Sequence, residues 1–175
     1  MILRTRRGQI AAGVTLAGLV LAGVTLYAAH QESAQLDQEL AAQVTLILER
    51  ASPAEHEGHG HTFESRVVCA VEPFGMDPPD AASLVEVHWV YARHLCAITG
   101  ESRDWATSVR ASGPIAVRLD VVPPVVEVPK TGSGYPDRVR KLIPARYHDE
   151  AFEEFSDESA IDAARERFSR TFEQR

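Results

Sequence analysis

The spacing of apolar and polar residues changes several times along this chain, and each change marks an element. From Ile10 to Ala29, IAAGVTLAGLVLAGVTLYAA, roughly twenty consecutive residues contain no charge, Pro, Asn or Gln. That length lets an α-helix cross a bilayer's hydrocarbon core with its backbone bonded internally. A transmembrane helix is expected over 9–30. From Gln31 to Arg50 the apolar residues Leu36, Leu40, Val44, Ile47 and Leu48 fall on one helical stripe, with Glu32, Asp37 and Glu39 elsewhere. A juxtamembrane helix is expected over 31–52, ending at Ala51-Ser52-Pro53 because Pro disfavours helix in the residue before it. The stripe needs cover. Two or three heptads fall short of a coiled coil, so the chain's own domain is expected to supply that cover, with a second copy of the helix as the alternative.

Residues 53–64 are polar and glycine-containing and read as a His-rich linker. Ser65 to Phe74 is rich in β-branched residues and runs into the turn-like GMDPPD, which predicts a strand through Cys69. Between Leu84 and Thr99, Val85, Val87, Trp89 and Tyr91 are apolar and Glu86, His88 and His94 polar. This period of two favours a strand, although a helix over Ala81 to Leu95 stays open. GPIAVRLDV (Gly113 to Val121) and Val125 to Val128 read as two more strands around Pro123-Pro124. After KTGSGYP, the stretches DRVRKLIP, HDEAFEEF and DESAIDAARERFSRTFEQR read as helices. In the last, Asp157 or Ser159 is a candidate cap, and Ile161, Ala164, Phe168 and Phe172 share a stripe. Strands followed by helices indicate an α+β domain over 65–175 on a small antiparallel sheet.

Charge fixes the expected orientation. Arg4, Arg6 and Arg7 are the only charges in the first 29 residues, so residues 1–8 are expected in the cytoplasm and the domain outside. A cleaved signal peptide is the competing reading. It is disfavoured by the length of the apolar run and because cutting after Ala29 or Ala28 would place Tyr27 or Leu26 where a small residue is wanted. No Cys follows the run directly, which excludes a lipoprotein anchor. Beyond residue 30 the chain holds 15 basic against 25 acidic residues. That balance argues against nucleic acid or an anionic lipid surface as partner.

The two cysteines, Cys69 and Cys96, both fall on the expected outer side, where an isolated pair is most simply a disulfide. On the chain-entropy model such a bond contributes roughly 3 to 4 kcal/mol. With the GSGYPDRVRKLIP segment, this arrangement resembles membrane-anchored proteins of high-GC Gram-positive bacteria, families without an assigned activity. The resemblance implies a cell-envelope location and supplies no site.

Candidate chemistry is sparse. His56, His59 and His61, with Glu55 and Glu57, lie within seven residues, a composition that binds zinc or copper in His-rich tracts. Gly58 and Gly60 loosen that backbone, so a solvated loop is the expectation and a metal site the alternative. Gly132-Ser133-Gly134 sits between an expected strand and helix, as in phosphate-binding loops, but Asp137 in the first helical turn would repel a phosphate. A turn and helix cap is expected there. His148, Asp149, Glu150, Glu153, Glu154, Asp157 and Glu158 form an acidic run that lacks the glycine turn of a calcium loop, with Phe152 and Phe155 expected on the core side. Trp89, Trp105 and Tyr135 are expected in the core and otherwise line a pocket. Walker A, HExxH and GxSxG motifs are absent.

These readings converge on a single-pass membrane protein that displays a non-catalytic interaction domain and carries no cofactor. Its expected partner is another envelope or secretion-system protein, or a second copy through the 31–50 helix. The alternative is a metal-binding or sensing ectodomain using His56, His59 and His61.

Overall fold

The computed structural model describes residues 11–59, 63 and 65–173, with side chains for 31–58, 63 and 65–173. Its contacts divide the chain into Met1–Gln35 and Leu36–Arg175. In the first unit the backbone is helical from Ala11, where helix α1 (Ala11–Arg50) begins. Among the described residues no helix is long and apolar enough to cross a membrane. The basic region over 1–8 and the expected span over 9–30 lie outside the residues described with their side chains.

The second unit is α+β. Strands β1 (Val67–Asp77), β2 (Trp89–Ile98), β3 (Val109–Arg118) and β4 (Val125–Glu127) form one antiparallel meander in the order β1-β2-β3-β4. Against one face pack Leu36, Leu40, Val44 and Leu48 of α1, meeting Cys69, Val71, Val90, Ala92, Ile115 and Val117. The stripe is therefore covered by the chain's own sheet, as expected. The opposite face carries smaller residues, Ala70, Ala97 and Ala116, which let bulky side chains come close. Phe168 of α5 (Ser159–Glu173) fills the space over Ala70 and Ala97, and Val139 of α4 (Tyr135–Leu142) lies near Ala116. Trp105, which opens the single turn α3 (Trp105–Ser108), stands edge-on to Phe168 with ring centroids 5.4 Å apart.

The strand favoured by the period-two pattern is β2, and no α-helix forms over Ala81 to Leu95; burial on both faces and a preceding turn explain where the alternation itself breaks. Of its apolar positions Val87 joins the α1 side and Tyr91 the α4 side, while Val85 is 91% exposed. It sits on a 3-10 turn, Leu84–Glu86, that precedes the strand. A central strand covered on two sides needs no alternation.

Cys69 and Cys96 face each other directly in the β1–β2 register and are disulfide-bonded, with Cα atoms 4.1 Å apart. The outward backbone groups of Cys69 are taken from both layers at once. Glu49 Oε1, at the end of α1, accepts the Cys69 N–H (2.9 Å), and Arg167 of α5 donates to the Cys69 carbonyl (2.7 Å) and to Glu49 (3.0 Å). Further along this terminal strand the Tyr147 hydroxyl donates to the Met76 carbonyl at 2.9 Å and accepts its N–H at 3.3 Å. Side chains thus occupy the edge where another strand would otherwise add.

Two segments differ from expectation. Residues 53–59, read as linker, form helix α2 (Pro53–His59), started by a capping box. Ser52 Oγ accepts the Glu55 N–H (3.3 Å) and Glu55 Oε2 accepts the Ser52 N–H (2.6 Å), with Pro53 as the first helical residue. HDEAFEEF (His148 to Phe155) is no α-helix: it holds one 3-10 turn, Glu150–Phe152, preceded by another at Ala145–Tyr147, and Phe152, expected in the core, is 44% exposed beneath the Arg140 guanidinium.

Gly75 follows the bulge in β1 at Phe74, and a Cβ there would lie 2.6 Å from the Tyr147 ring. Because the ring is pinned through its hydroxyl at Met76, it has little room to retreat. Gly75→Ala is predicted to lower stability by about 1 to 3 kcal/mol, read from urea midpoints; an unchanged midpoint would show that Tyr147 yields freely.

Candidate functional site

Two buried polar centres and one open groove hold the chemistry of the domain. The first centre follows from register. Glu72 of β1 and Arg93 of β2 are directly opposite, a cross-strand pair of opposite charge inside otherwise apolar runs. Arg93 is only 5% exposed and bonds Glu72 Oε1 at 2.6 Å. Its other donors reach the carbonyls of Glu153 (3.1 Å) and Glu150 (2.9 Å), and the guanidinium lies 5.3 Å from the Phe74 ring centroid. Glu72 in turn accepts the Ser156 N–H and hydroxyl. A guanidinium taken from water needs such a full set of acceptors, and here the set ties residues 150–156 to the sheet.

The second centre is His94, 1% exposed, opposite Gly113 in β3. Its Nδ1 lies 2.8 Å from the Gly113 carbonyl, so Nδ1 carries the proton and donates. Burial lowers its pKa from 6.5 to about 4, only partly offset by that carbonyl, and His56 lowers it further. His94 is therefore neutral near pH 7. A base so weak is poorly matched to proton transfer at that pH.

His56, one of the three histidines picked out by sequence, is placed in the interior. It is 1% exposed and packs edge-on against Phe63 with ring centroids 4.7 Å apart. The side chains of His59 and His61 lie outside the described residues. Among the described residues no three His, Cys, Asp or Glu side chains are grouped to hold a metal ion.

The groove, about 560 Å³, lies between the β4 side of the sheet and α4. Trp89, Tyr91 and Leu142 contribute apolar surface, and Glu127, Lys130, Arg138 and Lys141 contribute charge. The loop that carries Lys130 is shaped by Arg138, whose guanidinium donates to the carbonyls of Lys130 (2.7 Å), Thr131 (3.0 Å), Gly132 (3.2 Å) and Ser133 (2.9 Å). Gly134, with a left-handed φ of 76°, then starts α4, and Asp137 lies in its first turn. Gly132-Ser133-Gly134 is a turn and cap, as expected. Of the aromatics, Trp89 lines this groove, Tyr135 lines a neighbouring cavity with His94, and Trp105 belongs to the core.

Sequence reasoning missed Arg93, Glu72 and the lysine groove. The available signal was a charged residue in each of two apolar strands, Glu72 and Arg93, at positions that pair when Cys69 meets Cys96. The chain matches no protein-family model, no curated protein and no solved structure.

Arg93→Ala leaves Glu72 and the carbonyls of Glu150 and Glu153 without their donor, and is predicted to cost about 3 to 5 kcal/mol. Chemical denaturation measures it; a loss under about 1 kcal/mol, typical of an exposed pair, would show that water replaces the guanidinium without penalty. For His94 the sign follows from its lowered pKa. The folded protein binds fewer protons than the unfolded chain between pH 6.5 and 4, so stability from this group is whole above 6.5 and falls as pH drops towards 4. The fall is at most about 3 kcal/mol. His94→Gln, which keeps a donor and cannot titrate, should lose less stability between about pH 7 and about pH 4.5 than the wild type. Parallel curves for the two proteins would remove His94 as a source of acid sensitivity.

Proposed function

We propose that this is a single-pass membrane protein whose disulfide-linked α+β domain binds another envelope or secretion component outside the cytoplasm and catalyses nothing. The observation that carries the reading is the Cys69–Cys96 disulfide in a chain that opens with three arginines and some twenty apolar residues. A disulfide persists in oxidising compartments, and that N-terminal pattern is how a chain is anchored while its remainder is delivered there. The resemblance to anchored envelope proteins points the same way.

Support for a non-catalytic role comes from the buried and half-buried ionisable groups. Arg93 and Glu72 hold residues 150–156, Arg167 and Glu49 hold the edge of β1, and His94 holds Gly113. Each is engaged in bonds the fold needs. A different chain is favoured over self-association through the 31–50 helix, because Leu36, Leu40, Val44 and Leu48 are already covered by the sheet.

In bacterial membranes the full-length protein should resist alkaline carbonate extraction. Lys130 and Lys141, the chain's only lysines, should react with a membrane-impermeant amine reagent on intact cells, and thiol reagents should label it only after reduction. Extraction into the soluble fraction, or free thiols before reduction, would overturn the location. Turnover by the purified protein in a broad hydrolase and transferase screen would overturn the non-catalytic part.

A further inference from the structure

The groove between β4 and α4 gathers three of the six basic side chains that have no ion pair among the described residues, the other three being Arg50, Arg66 and Arg103. Eight arginines pair with carboxylates among the described residues. Lys130 and Lys141 have no such pair there, although the exported part is strongly acidic. Arg138 is bonded to four carbonyls, which are neutral, so its charge also stands uncompensated. Three uncompensated cations therefore line one groove, with Glu127 as the single acid in its wall. Their placement is built: Arg138 folds the loop that presents Lys130, and Arg138 and Lys141 are one helical turn apart on α4.

Beside these cations lies apolar surface, with Trp89 and Leu142 half-buried and Tyr91 buried. An inorganic anion would leave that surface wet. An apolar ligand would leave the lysines unused, and nucleic acid or an anionic membrane spreads its charge beyond three cations and onto the acidic surface around them, whereas a short segment meets the groove alone. The combination fits a chain that alternates carboxylates with an apolar anchor, since complementary charge at a rim sets specificity and approach while a central apolar contact supplies affinity.

We propose that this groove is the partner-binding site and that it takes an acidic, extended polypeptide segment with an apolar side chain between its carboxylates. The proposal rests on the interaction-domain reading above and supplies the chemical class of the partner. Lys130 and Lys141 meet the carboxylates, and the apolar side chain lies against Trp89 and Leu142.

The test uses the full-length protein in detergent micelles and a short synthetic peptide in which glutamates flank a leucine–phenylalanine pair, with its lysine counterpart as control. The chain has two tryptophans, so Trp105→Phe, which keeps an aromatic ring against Phe168, makes Trp89 the only indole. Calorimetric titration of the unsubstituted chain repeats the reading should that variant be unstable. The acidic peptide should shift Trp89 emission saturably, and more weakly as salt rises. K130E/K141E should weaken it at least about tenfold and should bind the lysine peptide instead. Both positions are exposed, so the fold is expected to survive, as thermal melting would verify.

Equal binding by wild type and K130E/K141E overturns the proposal. So does an equal response to inorganic phosphate or to a polyuronate, and so does peptide-free self-association abolished by K130E/K141E. A missing peptide response in a protein that stays in the membrane with its disulfide intact refutes the groove alone. Loss of membrane retention refutes the tethered reading and leaves the fluorescence assay usable.

Discussion

A guanidinium with almost no access to water governs how the second half of this chain is laid down. Arg93 stands in the middle of β2, and leaving its charge unanswered there would cost more than a small domain can spare. Glu72 answers the charge, but a guanidinium has five N–H donors in a fixed fork and one carboxylate cannot take them all. The carbonyls of Glu150 and Glu153 take two more. The Glu150 carbonyl serves the guanidinium and also accepts the Glu153 N–H (3.2 Å), so the same acceptor closes the turn Glu150–Phe152 and ties it to the sheet.

The same economy operates at the first strand. β1 is the terminal strand of the sheet, and its outward groups meet Glu49 and Arg167 at Cys69 and the Tyr147 hydroxyl at Met76. Glu72 adds a third attachment through Ser156. Helix α1 from one face and α5 from the other are thereby joined around a strand edge, in addition to burying their stripes. The polar bonds fix which way each helix lies, and the apolar contacts at Leu40, Val44 and Phe168 supply most of the driving force.

Much of this was legible beforehand. The stripe of α1, the strand through Cys69, the disulfide, and α4 and α5 all follow from local pattern, because each depends on residues near in sequence. The exceptions have identifiable causes. Ser52-Pro53-Ala54-Glu55 carries a complete helix-start signal, which the polar residues after it obscured. Val85 and Phe152 follow the alternation and the helical spacing of their neighbours, but both lie in segments that are turns. His56 looked solvated because its neighbours are polar, yet Phe63, seven residues on, encloses it. Arg93, and the groove that gathers both lysines, depend on strand register and on a loop folded around Arg138, which are properties of pairings distant in sequence.

The Glu49–Arg167–Cys69 junction also sets an order of events. A ribosome releases Cys69 well before Arg167, which is 98 positions later. Strands β1 and β2 can pair, and their sulfurs can join, while α5 is still unsynthesised. Throughout that interval Glu49 is the one side chain of this junction already made, and the Cys69 carbonyl and the Met76 groups stay open to water until Tyr147 and Arg167 follow.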